Sequence, residues 1–549
     1  MEQARLIIAI GLSFLVFFIW DAFFVEKKPV EKAPVEQAEV QPTEQRTSVP
    51  EEETVPLSKE PVKKAEPVIE RNTRSILVST DKYEARLDEK GAAITSFKLK
   101  EYKDSLGENA AMLELVPGIV KGGTVHVYFE DSRMGGLKNA VFSAGNTPEH
   151  LAVDSEPRSV EFSCVLDSGV EVIKKYTFTR GKYLIDLDIT VINRSGEDRK
   201  EQLAVGLVGA IPHKKKAYAF EGPSAYINGE LEQIKTKSIE KKNIYNGKIE
   251  WIALEDRYFL TSLLTESESE ASFVLGINEG LLSGKYVHPA RNFESGKRVT
   301  YRHQLFFGPK QMDLLNAAGK DLGKLINFGM FDILAKPCLK FMNIIYSVVP
   351  NYGLAIILIT IIIKIVLWPL GTKSYKSMNE MKRVQPLMAE IKEKHKNDKK
   401  KQNEEIMGLY KTYKINPMGG CLPMVVQIPV FFALYRMLYG AIELRHAPFI
   451  GWINDLSAPD RLFSFGFSIP FMEPPYGIPV LTLIMGATMF LQQKMSPPMG
   501  DAAQAKMMML MPIVFTFIFI NFSSGLVLYW LVNNVLSISQ QYYIQKKFA

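Results

Sequence analysis

The stretch Gly353–Leu370, GLAIILITIIIKIVLWPL, is apolar apart from Thr360 and Lys364. As a helix it would extend about 27 Å, close to the ~30 Å hydrocarbon thickness of a bilayer, so it predicts a membrane span. A cation within a span costs about 2.5–3.5 kcal/mol on insertion scales. Lys364 must therefore face protein, line a water-filled cavity, or extend along the helix to the headgroups, since Gly371 is only about 10 Å further along the axis.

Other apolar runs on both sides of this stretch indicate a six-span, all-α transmembrane bundle. Residues 6–20 carry no charge and favour an uncleaved anchor over 1–25, because no small-x-small site follows as a cleaved signal peptide would require. Residues 507–540 would form a helix of about 50 Å, too long for one span, so two spans divided at Ser523–Gly525 are favoured over one kinked helix. The four predicted spans after the second are Gly419–Ile442, Pro479–Gln493, Met507–Phe522 and Gly525–Gln540.

The part of the chain before residue 350 is predicted to be soluble or interfacial. Residues 26–74 are rich in Pro, Glu and Lys and predict a disordered linker. Period-two alternation over 75–310, with a hairpin signal at Thr179–Tyr183, predicts a large antiparallel β-sandwich domain. Residues 311–349 turn helical and fit an interfacial amphipathic helix, with an ordinary domain helix as the alternative.

Charge gives the predicted topology. The segment 371–416 holds twelve Lys/Arg against six Asp/Glu, whereas the short loop 443–478 holds two basic residues beside four acids. By the positive-inside rule, 371–416 and both termini are cytoplasmic and the β domain is extracytoplasmic. The predicted segments of this region are 350–372 (second span), 373–416 (cytoplasmic helical hairpin), 417–541 (spans three to six) and 542–549 (cytoplasmic tail).

The hairpin prediction rests on two helix-compatible runs, Lys373–His395 and Lys400–Tyr413, with a turn at Asn397–Asp398. Apolar residues recur at helical spacing and predict a thin seam between the helices. One interpretation is a solvated positive loop next to the membrane, and the other is a docking arm for a ribosome, an acidic partner or an arriving chain. The predicted seam residues are Val384, Leu387, Ile391, Ile406, Leu409 and Tyr413.

Polar side chains on one face of several predicted spans suggest a shared wet cavity around Lys364. Thr360 lies one turn before the lysine, Gln427 sits in the third span, and Thr482 sits in the fourth. In the sixth span, polar residues follow at four-residue intervals. Interhelical hydrogen bonding is the alternative role for each of them. The residues of the sixth span are Tyr529, Asn533, Ser537 and Gln541.

Catalytic, metal and nucleic-acid functions receive no support from the sequence. The predicted spans contain no paired carboxylates, metal-ligand spacing or phosphate-binding glycine loop, so no enzyme activity, cofactor or metal is expected. The three cysteines lie far apart and are expected to pack as small hydrophobes. The basic residues cluster in one segment, unlike those of a nucleic-acid binder. The histidines of the β domain are isolated in sequence and are expected to be structural; they are His126, His150, His213, His288 and His303.

Four motifs give the chain its resemblance to a known family. The run Asn416–Pro429, NPMGGCLPMVVQIP, resembles the signature of the YidC family of membrane-protein insertases. ELRHAPF at 443–449 with WINDLS at 452–457, QQKMSP at 492–497 and SSGLVLYW at 523–530 fit the same family. The anchor, linker and β domain resemble the Gram-negative form of the family in layout.

The resemblance implies a membrane-protein insertase and chaperone of the cell inner membrane, acting alone or beside the Sec translocon. Its implied partners are nascent membrane proteins, the lipid bilayer and a ribosome at the hairpin and tail. It also implies a hydrophilic groove whose positive charge attracts a substrate's acidic segment. The family usually has arginine where this chain has Lys364, which keeps the charge but loses the planar fork for bidentate carboxylate binding.

Two other functions remain open on the residues alone. A transporter or channel would use the polar face as its pathway, but such proteins often show internal repeats. None is visible over 350–541. A membrane-tethered carbohydrate-active enzyme would place its activity in 75–310, and it would leave the charged span without a role.

Overall fold

A computed structural model describes residues 73–107, 109–130, 136–137, 140–212, 219–266, 269–413, 422–496 and 502–548. The predicted anchor 1–25, the linker as far as residue 72, His213 and Cys421 lie outside the described residues. Strands occupy the chain from Ser75 to Pro309 and helices dominate after it. This is the arrangement that the change from period two to helical spacing predicts.

Twenty-one strands are described, of which the first nineteen form the β domain. They are β1 Ser75–Ser79, β2 Tyr83–Asp88, β3 Ala93–Lys103, β4 Met112–Glu114, β5 His126–Phe129, β6 His150–Ala152, β7 Arg158–Val165, β8 Val170–Phe178, β9 Leu184–Asn193, β10 Arg199–Glu201, β11 Leu203–Ala210, β12 Gly222–Ile227, β13 Glu230–Gln233, β14 Ile244–Glu255, β15 Phe259–Thr265, β16 Glu270–Asn278, β17 Leu281–Val287, β18 Arg291–Phe293, β19 Arg298–Pro309, β20 Leu462–Phe465 and β21 Tyr476–Ile478.

The β domain is a sandwich of a large and a small sheet. The large sheet runs β5-β11-β17-β16-β14-β15-β19-β9-β8-β7, with β12 and β13 paired onto β14, and the small sheet runs β4-β3-β2-β1-β6. The predicted hairpin is present, with Phe178 of β8 opposite Ile185 of β9. Among the described pairings of these two sheets only β1 with β6 is parallel. The β-sandwich prediction is therefore confirmed, with this one exception to its antiparallel pairing.

Lys174 lies on the inner face of β8, where alternation buries every second residue. Its Nζ donates to the carbonyls of Gly91 at 3.1 Å, Ala92 at 2.7 Å and Val125 at 2.9 Å. These three residues have positive φ angles, so their carbonyls turn away from the regular strand ladders into the core. The ammonium group thereby joins the two sheets, and its burial lowers the pKa of Lys174 to about 7.

His288 and His303, which are far apart in sequence, meet inside the β domain with their Nε2 atoms 3.1 Å apart. Both rings are buried. One nitrogen must donate and the other accept, so the contact requires at least one neutral ring. Burial lowers the pKa of His303 to about 4, and burial with the facing His303 ring lowers the pKa of His288 further.

Acid should therefore destabilise the β domain through this histidine pair. Above pH ~6.5 the rings are neutral in both the folded and the unfolded chain, so their contribution to stability is fully present. Below that pH the two histidines become protonated in the unfolded chain but stay neutral in the folded chain. The free energy of unfolding therefore falls as the pH drops toward the lowered pKa values. Thermal unfolding of the full chain between pH 7.5 and about 5 should show this loss. His303→Gln should flatten the pH dependence, and an unchanged slope in this variant would contradict the assignment.

Nine α-helices are described, all after the β domain. They are α1 Met312–Ala318, α2 Asp332–Val348, α3 Tyr352–Val366, α4 Trp368–Lys394, α5 Lys399–Thr412, α6 Leu422–Gly440, α7 Val480–Met495, α8 Ala502–Phe519 and α9 Ser524–Phe548. Of these helices none alone is long and apolar enough to cross a membrane, while α3 and α4, bent by 64° to each other, meet that test as a pair by length and composition.

Helices α4 and α5 pack as a hairpin through a small apolar cluster formed by Val384, Ile406 and Tyr410. Tyr413, which was predicted to belong to this seam, is 53% exposed. The prediction was wrong because α5 ends at Thr412, so Tyr413 leaves the helical face. Tyr410 takes its place at four-residue spacing from Ile406.

The β domain contacts the helical region through two arginines. Arg257 donates to the carbonyl of Tyr439, at the end of α6, with distances of 2.9 Å from Nε and 2.7 Å from Nη2. Arg445 follows α6 and donates to the carbonyl of Lys103 at 2.6 Å. Its guanidinium also lies 5.4 Å from the ring of Phe259. The two regions are thus joined by charge-assisted hydrogen bonds at the end of α6.

Candidate functional site

Lys364 lies in the last turn of α3, and only 9% of its surface is exposed. Its Nζ donates to Ser537 Oγ of α9 at 2.6 Å. Ser537 in turn donates to the backbone carbonyl of Asn533 at 2.7 Å, one turn earlier on the same helix. The amine therefore points into the helical region. Within the described part of the chain, no carboxylate forms an ion pair with it.

A second interhelical contact extends this network. Gln427 Nε2 of α6 donates to Asn533 Oδ1 of α9 at 3.2 Å. Asn533 thus contacts α6 with its side chain, while its carbonyl accepts from Ser537. Three helices, α3, α6 and α9, meet at four of the predicted site residues. We call Lys364, Gln427, Asn533 and Ser537 the polar cluster.

The other four predicted residues lie on or near these helices without joining the polar cluster by a described hydrogen bond. One of them, Gln541 of α9, is 1% exposed, and its Oε1 has no hydrogen-bond partner in the described structure. Thr360 is buried and donates to the carbonyl of Ile356 on its own helix at 2.6 Å. Tyr529 is buried, with its ring stacked 6.3 Å from that of Phe431. Thr482 is 1% exposed, and its Oγ1 has no hydrogen-bond partner in the described structure. Their role at the site stays a prediction.

Two residues beside the polar cluster escaped prediction from the sequence. Tyr375 of α4 donates its hydroxyl to the carbonyl of Ser537 at 3.4 Å. Gln540 of α9 donates to the carbonyl of Trp368 at 3.0 Å, next to the bend between α3 and α4. Thr372 Oγ1 of α4 also donates to that carbonyl at 2.9 Å, so the start of α4 is bonded both within its own helix and to α9.

The loop between α6 and α7 fastens the ends of two helices. The buried carboxylate of Asp460 accepts from Trp452 Nε1 and from the backbone nitrogens of Leu481 and Thr482, in the first turn of α7. Arg461 donates at 2.8 Å to the carbonyl of Ile520, just after α8. An anion at a helix N-terminus and a cation at a C-terminus both complement the helix dipole. This pair therefore links α7 and α8 at one end of the helical region.

Comparison with known proteins covers both regions of the chain. Residues 75–341 match the model of the YidC periplasmic domain, and residues 344–549 match that of the 60Kd inner membrane protein. The membrane protein insertase YidC of Syntrophobacter fumaroxidans is 40% identical over 83% of this chain and 83% of its own length. That of Pelobacter propionicus is 40% identical over 99% of both chains.

A crystal structure of an active YidC insertase aligns with a TM-score of 0.37 and 20% identity, covering 86% of this chain and 93% of that one. Fold and family models together define the class: an inner-membrane protein with a periplasmic β-sandwich domain and a helical C-terminal region. The chain belongs to the YidC family of membrane protein insertases. Its relatives are named for an insertion function that makes and breaks no covalent bond, in agreement with the expectation that it is not an enzyme.

Proposed function

We propose that this chain inserts small membrane proteins through the polar cluster and helps larger ones to fold, alone or with the Sec translocon. The observation that carries the proposal is the inward-pointing Lys364, hydrogen-bonded to Ser537 and without a described acidic partner. An unneutralised cation among apolar helices attracts an acidic or polar segment of a guest chain. The named relatives are insertases, which supports the same function.

The physical task of such a site is to lower the barrier for polar groups in hydrocarbon. Unpaired backbone groups cost several kcal/mol each in lipid. Gln427, Asn533 and Ser537 offer amide and hydroxyl groups that can exchange their mutual hydrogen bonds for bonds to a passing chain. Thr360, Thr482 and Tyr529 extend this surface in the proposal. Entry of the guest's apolar helix into lipid then drives release, without a nucleotide or other cofactor.

The proposal assigns each segment a place. Residues 1–25 anchor the chain, 26–74 link it to the periplasmic β domain at 75–310, and 311–349 lie at the membrane interface. The spans are 350–372 and the four within 417–541, which makes six with the anchor. The hairpin 373–416 and the tail 542–549 lie in the cytoplasm with both termini. The basic exterior of the hairpin makes it the dock for a ribosome, whose RNA surface is acidic.

Depletion of the protein in its native host tests the function. Insertion of a short membrane protein with an acidic external tail should fail on depletion and return with the wild-type gene. Protease protection of the radiolabelled tail measures insertion. A membrane protein with a neutral tail of the same length is the matched control and should be affected less. Unaltered insertion of the acidic-tailed protein would contradict the proposal.

A further inference from the structure

A β-hairpin formed by β20 and β21 in the loop between α6 and α7 exposes three phenylalanines. Phe463 is 68% exposed, Phe467 64% and Phe471 87%. A phenylalanine side chain has no polar group to justify contact with water, and clustered exposed apolar surface marks an interaction site. We call residues 462–478 the phenylalanine hairpin.

The backbone holds these rings in place at some conformational cost. Phe463 has φ of 61° and Phe471 has φ of 63°, in the left-handed region that bulky residues rarely adopt. Asn521 Nδ2 donates to the carbonyl of Phe471 at 2.8 Å. Such conformations persist where the surrounding structure imposes them, and they occur preferentially at functional sites. The exposed rings are therefore presented by a defined loop.

Arg461 forms the base of the phenylalanine hairpin. Its guanidinium donates to the carbonyl of Pro475 across the hairpin at 2.8 Å and to that of Ile520 after α8 at 2.8 Å. Asn521 Oδ1 also accepts from the backbone nitrogen of Glu473 at 2.8 Å. The hairpin is thus fixed to the end of α8 by several hydrogen bonds.

Exposed apolar side chains also occur on α7, which follows the phenylalanine hairpin in the chain, and on α8, to whose end the hairpin is fastened. On α7, Leu483 is 49% and Ile484 44% exposed, directly after the residues that Asp460 binds. On α8, Phe517 is 60% and Ile518 51% exposed, one turn before Asn521. In the proposed function α7 and α8 span the membrane, so their exposed apolar side chains face lipid, and the exposed phenylalanines of the loop that joins these helix ends fit the same partner.

We propose that the phenylalanine hairpin is an interfacial lipid anchor, which inserts Phe463, Phe467 and Phe471 into the bilayer leaflet at the junction of α7 and α8. The inference rests on the proposed function, because that function places α7 and α8 in the membrane. Aromatic and aliphatic side chains next to a hydrogen-bonded polar base are typical of elements that lie in the interface. The anchor holds the loop against the membrane while Asp460 and Arg461 hold the helix ends.

Fluorescence quenching in reconstituted vesicles tests the anchor. The full chain, with Cys164, Cys338 and Cys421 replaced by serine, receives one cysteine as Phe471→Cys or Phe467→Cys and is labelled with bimane. Vesicles of phosphatidylcholine and phosphatidylglycerol contain either ordinary or brominated acyl chains. Phe517→Cys on α8 is the lipid control. Val165→Cys, which replaces a β-domain residue that is 57% exposed, is the water control.

We expect both hairpin labels to lose fluorescence in brominated lipid by a fraction close to that of Phe517→Cys, while Val165→Cys loses none. Quenching at Phe517→Cys with none at either hairpin label overturns the anchor and leaves the proposed function intact. If the same variants, left unlabelled and exposed to air, instead form disulfide-linked dimers through their single cysteine, a second copy covers the surface, and the anchor is equally overturned. Absence of quenching at Phe517→Cys contradicts the membrane placement of α8, and with it the proposed function.

Discussion

Replacing Lys364 by glutamate should reduce insertion of an acidic-tailed substrate at least tenfold, whereas Lys364→Arg should keep most of it. Two unit charges 4 Å apart interact by about 4 kcal/mol at an effective dielectric constant of 20, and 1.4 kcal/mol is a factor of ten. Reversing the charge turns this attraction into a repulsion. Arginine preserves the charge and adds donors.

Lys364→Gln is the neutral member of this series and should fall between the other two variants. Each variant would replace the wild-type protein in depleted cells, and protease protection of the pulse-labelled tail would measure insertion. The amounts of the variants in the membrane must match before their insertion is compared. Lys364→Glu buries a carboxylate that has no cationic partner in the described structure, so this variant is expected to be less stable than the wild type. Equal insertion by the glutamate, glutamine and arginine variants would contradict a role for the charge.

The variant Asp460→Ala should lower the thermal stability of the helical region more than any other single change in the loop between α6 and α7. The buried carboxylate accepts from Trp452 Nε1 and from the backbone nitrogens of Leu481 and Thr482. Leaving a buried donor unpaired costs about 1–3 kcal/mol. The loss of a carboxylate at a helix N-terminus adds about 0.5–2 kcal/mol.

Thermal unfolding in detergent micelles measures this effect. Glu473→Ala is the matched control, because Glu473 is an exposed acid of the same loop whose backbone, rather than its side chain, makes the described hydrogen bonds. Asp460→Asn should lie between the two, since an amide oxygen still accepts but carries no charge. A melting temperature for Asp460→Ala equal to that of Glu473→Ala would show that the carboxylate does not hold α7.

The β-sandwich was predictable because strand alternation follows from burial of one face. The hairpin of β8 and β9 appears where a turn signal interrupts two alternating runs. The run 250–264 contains the end of β14 and most of β15, joined by a short turn that alternation alone did not mark. Burial of Lys174 depends on carbonyls from two distant segments, and local sequence does not report such tertiary partners.

The polar cluster was predictable in part. The cost of a cation in a span indicated that Lys364 needs a protein partner or water, and four-residue spacing placed Asn533 and Ser537 on one face of α9. The choice of Ser537 as the acceptor follows from how α3 packs on α9, which the sequence does not specify. Tyr375 was missed because it lies beyond the bend, in a helix interpreted through its basic residues and its apolar seam with α5.

The same limit explains why some predicted residues do not join the polar cluster. Threonine in a helix can bond to its own backbone, as Thr360 does with Ile356, so a polar residue on the correct face need not reach its neighbours. Tyr529 shows a different case, because its large ring packs against Phe431. Helical spacing gives the direction of a side chain but not the partner that it selects.

In the proposed function Lys364 acts on the substrate through its charge. The most direct test combines Lys364→Glu with two substrates that differ only in their tails, one acidic and one with the acids replaced by their amides. Protease protection would give the insertion of each by wild-type and variant proteins. We expect the variant to fail with the acidic tail and to recover most of its insertion with the neutral tail. An equal defect with both tails would contradict the claim.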